Sequence, residues 1–417
     1  MKTLFLVTPH FPPSSSPPSQ RARLLVKHAS SFGFYPICFT VQPKYREEVE
    51  DVWMKELLGT EYTEKTVHCL NQKTTRKFGI GDLGLRMLPF LFFKLINEVR
   101  ISKPSFILYL VPPWYILVIA PIVKWLTKVP YGIDFIDPWV HDQEKKYATF
   151  KHKISQGIAV ALEKWVCSNA SIIFSVSEGI NSNLIKRHPS LNSKPMFAIP
   201  YGAEQSDFDK IRFGDKTENK IILRYIGAIW NDCYPVLNGL MPSLKELEKI
   251  LKIEVQFIGT SYAGEGLSKP QLGKWIEQNN MQHFVKENPL RVTYKKAVEL
   301  TMSADILFLI GGMQPYYAAS KLMGLVASQK PFVAFVHKDS FPALFLKEIN
   351  YPYVVTYSSK NEELPINQTQ KLTEMFETLI KNKNNFIPIS LNNPLVLQHT
   401  ANGMTSAFLQ NISLVIK

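Results

Sequence analysis

Three stretches of this 417-residue chain carry side chains whose types and spacing could do chemistry. The richest runs Gly311-Gly312-Met313-Gln314-Pro315-Tyr316-Tyr317-Ala318-Ala319-Ser320-Lys321-Leu322. It follows an apolar, strand-like run, Ile306–Ile310, and leads into a helix expected over Ser320–Ser328. The paired glycines let a ligand approach the backbone. Ser320 has the side chain of an N-cap, and the N–H groups beyond it, with Lys321, would cradle an anion. An ordinary strand-to-helix loop is the other reading of the same residues. The second stretch, Asp134-Phe135-Ile136-Asp137-Pro138-Trp139, ends a strand with two carboxylates and an indole. A carboxylate there, Asp137 above all, is placed to orient or deprotonate an acceptor hydroxyl. Trp139 offers a flat face for a sugar. Alternatively, Asp137 caps a turn and Trp139 is core. The third stretch, from Thr8 to Arg21, is rich in Pro and Ser and joins a strand to a helix start, where free N–H groups favour an anion. Ser19 suits an N-cap. Arg21 and Arg23 would add charge-assisted bonds to phosphate, or stand as solvated arginines beside a rigid proline loop. Asp207-Phe208-Asp209 imitates a metal-binding acid pair, but it lies in a polar linker and reads as a solvated turn.

Such loops need a frame, and the apolar runs supply one. Short strands are expected at 3–8, 35–41, Phe106–Val111, Tyr131–Ile136, Ser171–Val176 and Met196–Ile199. Helices fall between them at 19–32, Tyr115–Lys128 and Gly179–Arg187. The pattern halts over Gly202–Asn219 and then restarts. Strands follow at Ile221–Ile226, Glu254–Gly259, Arg291–Tyr294, Ile306–Ile310 and Phe332–Val336, with helices at Leu237–Leu251 and Ala297–Met302 and a last helix over 394–416. Nearly continuous apolar strands alternating with helices belong to parallel sheets covered on both faces. Single cores stop growing near ~250–300 residues, so a chain of this length divides. The expectation is an α/β protein of two Rossmann-like halves, with its ligand in the cleft that the carboxyl ends of both sheets face.

Composition narrows the partners. With 48 Lys and Arg against 35 Asp and Glu the net charge is +13, which points to an anionic partner: a membrane surface, a nucleic acid or a phosphorylated ligand. No nucleic-acid-binding motif stands in the chain. The segment Leu85–Arg100 has a crowded aromatic face with basic residues beside it. It suits either an anionic membrane surface or the core of the first half. No apolar run reaches the ~20 residues needed to span a bilayer. The opening run, Met1 to Pro9, is too short for a signal peptide and reads as a buried first strand. Four cysteines lie far apart, which reads as reduced thiols in a cytoplasm. The histidines lack zinc-site spacing, so no metal is expected.

Taken in order, the residues resemble a known family. The set comprises the Pro-rich first loop with Arg21, Gly33 after the first helix, Asp134–Trp139 and Ile199-Pro200-Tyr201-Gly202-Ala203-Glu204. Tyr225-Ile226-Gly227-Ala228 and Ser320-Lys321-Leu322-Met323-Gly324-Leu325-Val326-Ala327-Ser328-Gln329-Lys330-Pro331 complete it. Over essentially the whole chain this is similar to the GT-B glycosyltransferases of family 4, in particular the branch that builds lipopolysaccharide, capsule and exopolysaccharide. The resemblance implies an acceptor half at 1–203, a nucleotide-sugar donor half at 204–385, and a last segment, 386–417, crossing back to the first half. It implies transfer with retention, with no metal and no cofactor beyond a nucleotide-sugar co-substrate, UDP- or GDP-linked. By position it assigns the donor to Gly227, Gly312, Tyr316, Ser320, Lys321 and Leu322. It assigns the acceptor to Arg21, Trp139, Gly202 and Glu204, and catalysis to Asp137, Arg21 and Lys321. The acceptor would be a glycan or a lipid-linked sugar, and the enzyme would sit in the cytoplasm, peripheral to the membrane. The departures are specific. Tyr316 and Gly324 stand where the family has two glutamates, Gln329 replaces a glycine, and Tyr201 replaces an asparagine. The diphosphate-clamping Arg and Lys after Gly227 give way to Ala228-Ile229-Trp230-Asn231, with Arg224 just before. A second reading follows from them: a non-catalytic GT-B scaffold that partners an active transferase.

Overall fold

The computed structural model describes residues 1–46, 48–140, 150–211, 220–261, 267–315, 319–358 and 369–416, and the side chains of 150–153 are not among them. Contacts divide the chain into two units, Met1–Pro200 with Ala401–Lys417, and Tyr201–Thr400.

The first unit runs β1 (Lys2–Val7), α1 (Pro17–Ala29), β2 (Phe34–Val41), α2 (Trp53–Glu56), β3 (Thr63–Val67), α3 (Gln72–Arg76), α4 (Leu83–Ser102), β4 (Phe106–Val111), α5 (Ala120–Thr127), β5 (Tyr131–Phe135), α6 (Phe150–Asn169), β6 (Ile172–Ser175), α7 (Glu178–Arg187) and β7 (Met196–Ala198). Its seven strands are parallel, in the order β3-β2-β1-β4-β5-β6-β7. Leu4 to Val7 and Leu108 to Val111 are fully buried, so both faces of the central strands need covering. Right-handed crossovers place α1, between β1 and β2, on one face, and α5 and α6, reached in the opposite direction, on the other.

The second unit runs α8 (Gln205–Asp209), β8 (Ile221–Ile226), α9 (Tyr234–Ile250), β9 (Ile253–Ile258), α10 (Gly273–Gln278), β10 (Val285–Asn288), α11 (Tyr294–Ser303), β11 (Ile306–Ile310), α12 (Leu322–Ala327), β12 (Phe332–His337), α13 (Phe341–Glu348), β13 (Val354–Tyr357), α14 (Thr369–Lys381) and α15 (Pro394–Gln398). Its six parallel strands follow the order β10-β9-β8-β11-β12-β13. The last helix, α16 (Ala401–Val415), belongs to the first unit and packs on α1. Residues 386–400 stay with the second unit, where Val396 of α15 is buried in the cluster around Leu307, Leu322 and Phe332.

Three sequence expectations change. Arg291–Tyr294 is not a strand: β10 ends at Asn288, ahead of Pro289, and α11 starts at Tyr294. The helix expected over Tyr115–Lys128 begins as a 3₁₀ segment, Trp114–Ile119, and turns α-helical only at Ala120. Asp207 is no solvated turn residue. It is fully buried on α8 and accepts a hydrogen bond from Tyr294 Oη at 2.8 Å. Arg224, on β8, is buried too. Its guanidinium donates to Gln256 Oε1 at 2.7 Å and to Ser303 Oγ at 2.8 Å, tying β8 to β9 and the end of α11.

The most demanding contact in the first unit is an ion pair. Arg21 on α1 donates from Nε and Nη2 to both oxygens of Asp134 on β5, at 2.6 and 2.9 Å, and neither side chain has any exposed surface. Its remaining donors reach Ile199 O at 2.8 Å, Pro200 O at 3.3 Å and Met404 Sδ at 3.7 Å, and its plane lies 4.8 Å from the centre of the Phe408 ring on α16. Removing one partner leaves the other charged and buried, which costs about 3–5 kcal/mol. Arg21→Met is therefore expected to lower the unfolding free energy in urea by that amount, and Arg21→Met with Asp134→Leu to recover part of it. A loss below about 1 kcal/mol in the single variant would refute this role for the pair.

Candidate functional site

Parallel strands end at one edge of a sheet, and ligands bind there where the strand order reverses. In the second unit the reversal lies between β8 and β11. The loops after β8, β9, β10 and β11 meet at this edge. Gly227 N–H donates to Ile258 O at 2.7 Å, Ile229 N–H to Thr260 O at 2.9 Å, and Ser261 N–H to Pro289 O at 3.1 Å. Gln314 Nε2 donates to Asp232 Oδ2 at 2.9 Å, clasping the β11 loop to the β8 loop. Two glycines let side chains come close. A Cβ on Gly312 would stand 3.1 Å from Trp230 Nε1, so the indole rests on bare backbone. A Cβ on Gly227, whose φ is 147°, would stand 1.5 Å from Lys321 Nζ, so the ammonium occupies the space that any other residue would fill.

Lys321 is the centre of this edge. Although the residue keeps some exposure, its ammonium turns inward and lies 4.7 Å from the centre of the Tyr225 ring. Tyr225 is itself fixed, donating from Oη to Ala228 O at 2.9 Å. That ring contact is the partner of Lys321 Nζ among the described residues; no carboxylate pairs with it. Burial pulls the Lys321 pKa down to about 8; the Arg291 charge adds to the drop, and Cys233 opposes it. Burial raises the Cys233 thiol to about 11, so it offsets the ammonium only as it ionises, well above pH 7. An enclosed cation without a counter-ion, with a second cation near it, is a place for an anion.

The expected site residues divide. Gly227, Gly312 and Lys321 come together at this edge. Ser320 does not cap the helix: α12 begins at Leu322, Lys321 holds the N-cap position in a helical conformation, and Ser320 is exposed. The Leu322 side chain is in the core, and its N–H already donates to Ala319 O at 3.1 Å. The polar group that the start of α12 offers to this edge is thus the Lys321 ammonium rather than a capped helix N-terminus. Tyr316 lies outside the described residues. Trp230, Tyr225 and Arg291 went unrecognised in sequence; the signal available was Trp230, standing where a diphosphate clamp was sought.

In the first unit, Arg21 moves from the site to the frame, because its donors are committed inside the core. Arg23 is likewise buried and donates to Gln20 Oε1 at 2.9 Å, so neither arginine is solvated. Asp137 is exposed just beyond β5, and its carbonyl accepts from Trp114 Nε1 at 3.1 Å. Trp139 is buried edge-on to Tyr115, with ring centres 5.6 Å apart, and lines a small cavity with Glu163 and Arg187. In the second unit, Gly202 is buried and Glu204, at the start of α8, accepts from Ser206 Oγ at 3.1 Å.

No protein-family profile matches the chain, and no curated protein does. Solved structures do. Anabaena HepE in complex with UDP and glucose is similar at a TM-score of 0.63 and 13% identity, over 99% of this chain and 100% of that one. A glycosyltransferase from Rickettsia africae gives 0.62 at 12%, over 100% and 99%. Sucrose-phosphate synthase from Thermosynechococcus elongatus gives 0.56 at 10%, over 100% and 95%. The fold is GT-B. Identities this low establish the GT-B fold and leave the chemistry to be argued from the residues.

The depressed pKa has two consequences of opposite sign. The folded form holds the Lys321 proton less tightly than the unfolded chain, so the penalty to the fold is full below about pH 8 and is relieved as pH rises from there toward 10.5. Lys321→Met is expected to keep or raise the melting temperature at neutral pH. A diphosphate anion bound at this ammonium would prefer its protonated form, so the Kd for inorganic pyrophosphate is expected to rise roughly tenfold between about pH 7 and about pH 9, with proton uptake on binding. Calorimetry in buffers of different ionisation enthalpy reads both. A Kd unchanged over that range, or retained in Lys321→Met, would show that the ammonium does not meet the anion.

Proposed function

We propose that the chain is a retaining glycosyltransferase. It moves a sugar from a UDP- or GDP-linked donor to a polysaccharide, lipopolysaccharide or lipid-linked acceptor, in the cytoplasm and peripheral to the membrane. The observation that carries this reading is the enclosed Lys321 ammonium, without a carboxylate partner among the described residues and seated against Gly227 at the reversal point of the second sheet. As the bond from the sugar to the diphosphate breaks, the electron pair leaves on a phosphate oxygen. A preorganised cation at that oxygen stabilises the charge where it develops. In this reading protein cations, Lys321 with Arg291 beside it, meet the diphosphate without a metal. Trp230 over Gly312 offers an indole face to the donor, and exposed Asp137 suits an acceptor hydroxyl. HepE is solved with UDP and with UDP-glucose, which supports a donor of that kind here.

A non-catalytic GT-B protein is the second reading, and one observation favours it. Gly324 stands where the family places a ribose-binding glutamate, and a Cβ there would meet only the Phe208 ring at 3.7 Å. Thermal unfolding with UDP, GDP, ADP, CMP and dTDP separates binding from its absence. A ligand at about 100 times its Kd adds about 2.7 kcal/mol of stability. A rise with UDP or GDP, lost in Lys321→Ala, is expected, followed by nucleotide release from the matching sugar donors. Binding without release from any donor would favour the second reading; no rise with any nucleotide would refute the donor site.

A further inference from the structure

We propose that the outer face of α4, α5 and α6 docks on an anionic lipid bilayer. This names the surface behind the membrane location proposed above, and it rests on no donor chemistry. The three helices form one layer: α4 packs on α5, and α5 on α6. Lys124 Nζ of α5 donates to Asn169 O at the end of α6, at 2.7 Å, which holds the two together. Each helix turns apolar side chains inward and further ones outward. Phe93 on α4 and Trp125 on α5 are each 70% exposed. Leu126 lies beside Trp125 on α5, and Ile154, Ile158 and Trp165 share one side of α6 at helical spacing, all exposed.

Single exposed hydrophobes are ordinary, but a field of them across three adjacent helices is not. The charges around this field choose its occupant. The three helices hold two acids among their described side chains, and both are buried and paired. Glu98 lies 3.2 Å from Lys65, and Glu163 lies 2.7 Å from Arg187 and 2.9 Å from His188. Among the described side chains, the exposed charges on these helices and at their C-terminal ends are all positive: Arg100, Lys103, Lys128 and Lys164; the half-buried Asp82 caps the start of α4. A protein interface places few lysines near its apolar centre. A lipid surface takes both classes at once, because indole rings sit at headgroup level and lysines extend from their stems toward anionic headgroups. The α4 helix therefore does both things its sequence allowed. Met87, Leu91 and Leu95 enter the core, while Phe93 faces out.

Vesicle flotation tests this with the full chain. Mixed phosphatidylcholine–phosphatidylglycerol vesicles are expected to bind at least about tenfold more tightly than phosphatidylcholine alone, with tryptophan emission shifting to the blue and binding weakening in salt. Phe93→Ser with Trp125→Ser is expected to reduce binding about tenfold at an unchanged melting temperature, because both side chains are exposed. Equal, weak binding to both vesicles, or full binding by the double variant, would overturn the proposal. So would a wild-type dimer that the same variant dissolves without any vesicle binding, which would assign the face to a second copy. The assay contains no nucleotide, so its failure leaves the donor reading standing, and failure of the donor reading leaves this one.

Discussion

The first unit is organised around a charge that water cannot reach. A guanidinium and a carboxylate removed from solvent lose several kcal/mol of hydration each. The loss is offset only when every donor finds an acceptor in good geometry. Arg21 achieves this by drawing its acceptors from three separate places: the end of β5, the Ile199–Pro200 carbonyls after β7, and Met404 on α16. Those are the strand that leads into the Asp137 loop, the point where the chain leaves the unit, and the helix with which it returns. A single arginine thereby specifies how the two chain passages meet the sheet. Hydrophobic contact alone tolerates sliding, whereas a bidentate pair does not.

Lys321 is the counter-example inside the same chain. Both cations are enclosed, but Arg21 has all its partners within the protein and Lys321 has an aromatic face and a neighbouring positive charge. In the reading proposed here, that difference separates a structural charge from one open to a ligand. A cation whose acceptors are internal stabilises one conformation. A cation held without an acceptor carries a standing penalty, here visible as a pKa pulled down to about 8. The fold bears that penalty through the surrounding loops, which are clasped by Gln314 to Asp232 and by the backbone bonds between the β8, β9 and β10 turns. Preorganisation of this kind is what distinguishes a site from a surface lysine.

How far this was legible in sequence depends on what kind of fact was sought. Strands such as Phe106–Val111, Ile221–Ile226 and Ile306–Ile310 matched the sequence limits residue for residue, because a strand buried on both faces is a continuous apolar run bounded by breakers. Weakly apolar edge strands were missed: β3, Thr-Glu-Lys-Thr-Val, carries its register through pairing with β2 and not through pattern. Arg21 and Asp207 were both noticed as residues, but neither has the surroundings expected of it. Arg21 was expected to meet phosphate and meets Asp134, and Asp207 was expected in water and meets Tyr294. Sequence records which groups exist. Whether a group is paired is a property of neighbours 113 or 87 positions away. The Lys321 pocket is harder still, since it depends on the missing Cβ of Gly227 and on the lack of a carboxylate partner among the described residues.

The two faces of the first sheet are finished differently, in how their charges and aromatic side chains are placed. On the α1 face, α16 returns and closes the layer, with Phe408 packed 4.7 Å from Phe174 and over Arg21. The Arg21 guanidinium is satisfied internally there, and Phe408 turns inward. On the α4–α6 face, acids are withdrawn into pairs with Lys65, Arg187 and His188 while tryptophans and lysines remain outside. Folding alone requires neither step. A face meant for water would gain solubility from exposed acids and would bury or replace its indoles. Withdrawing every acid of the described helix side chains while leaving Phe93 and Trp125 exposed makes the unit worse as a soluble surface. It makes sense when the solvent on that side is an anionic interface.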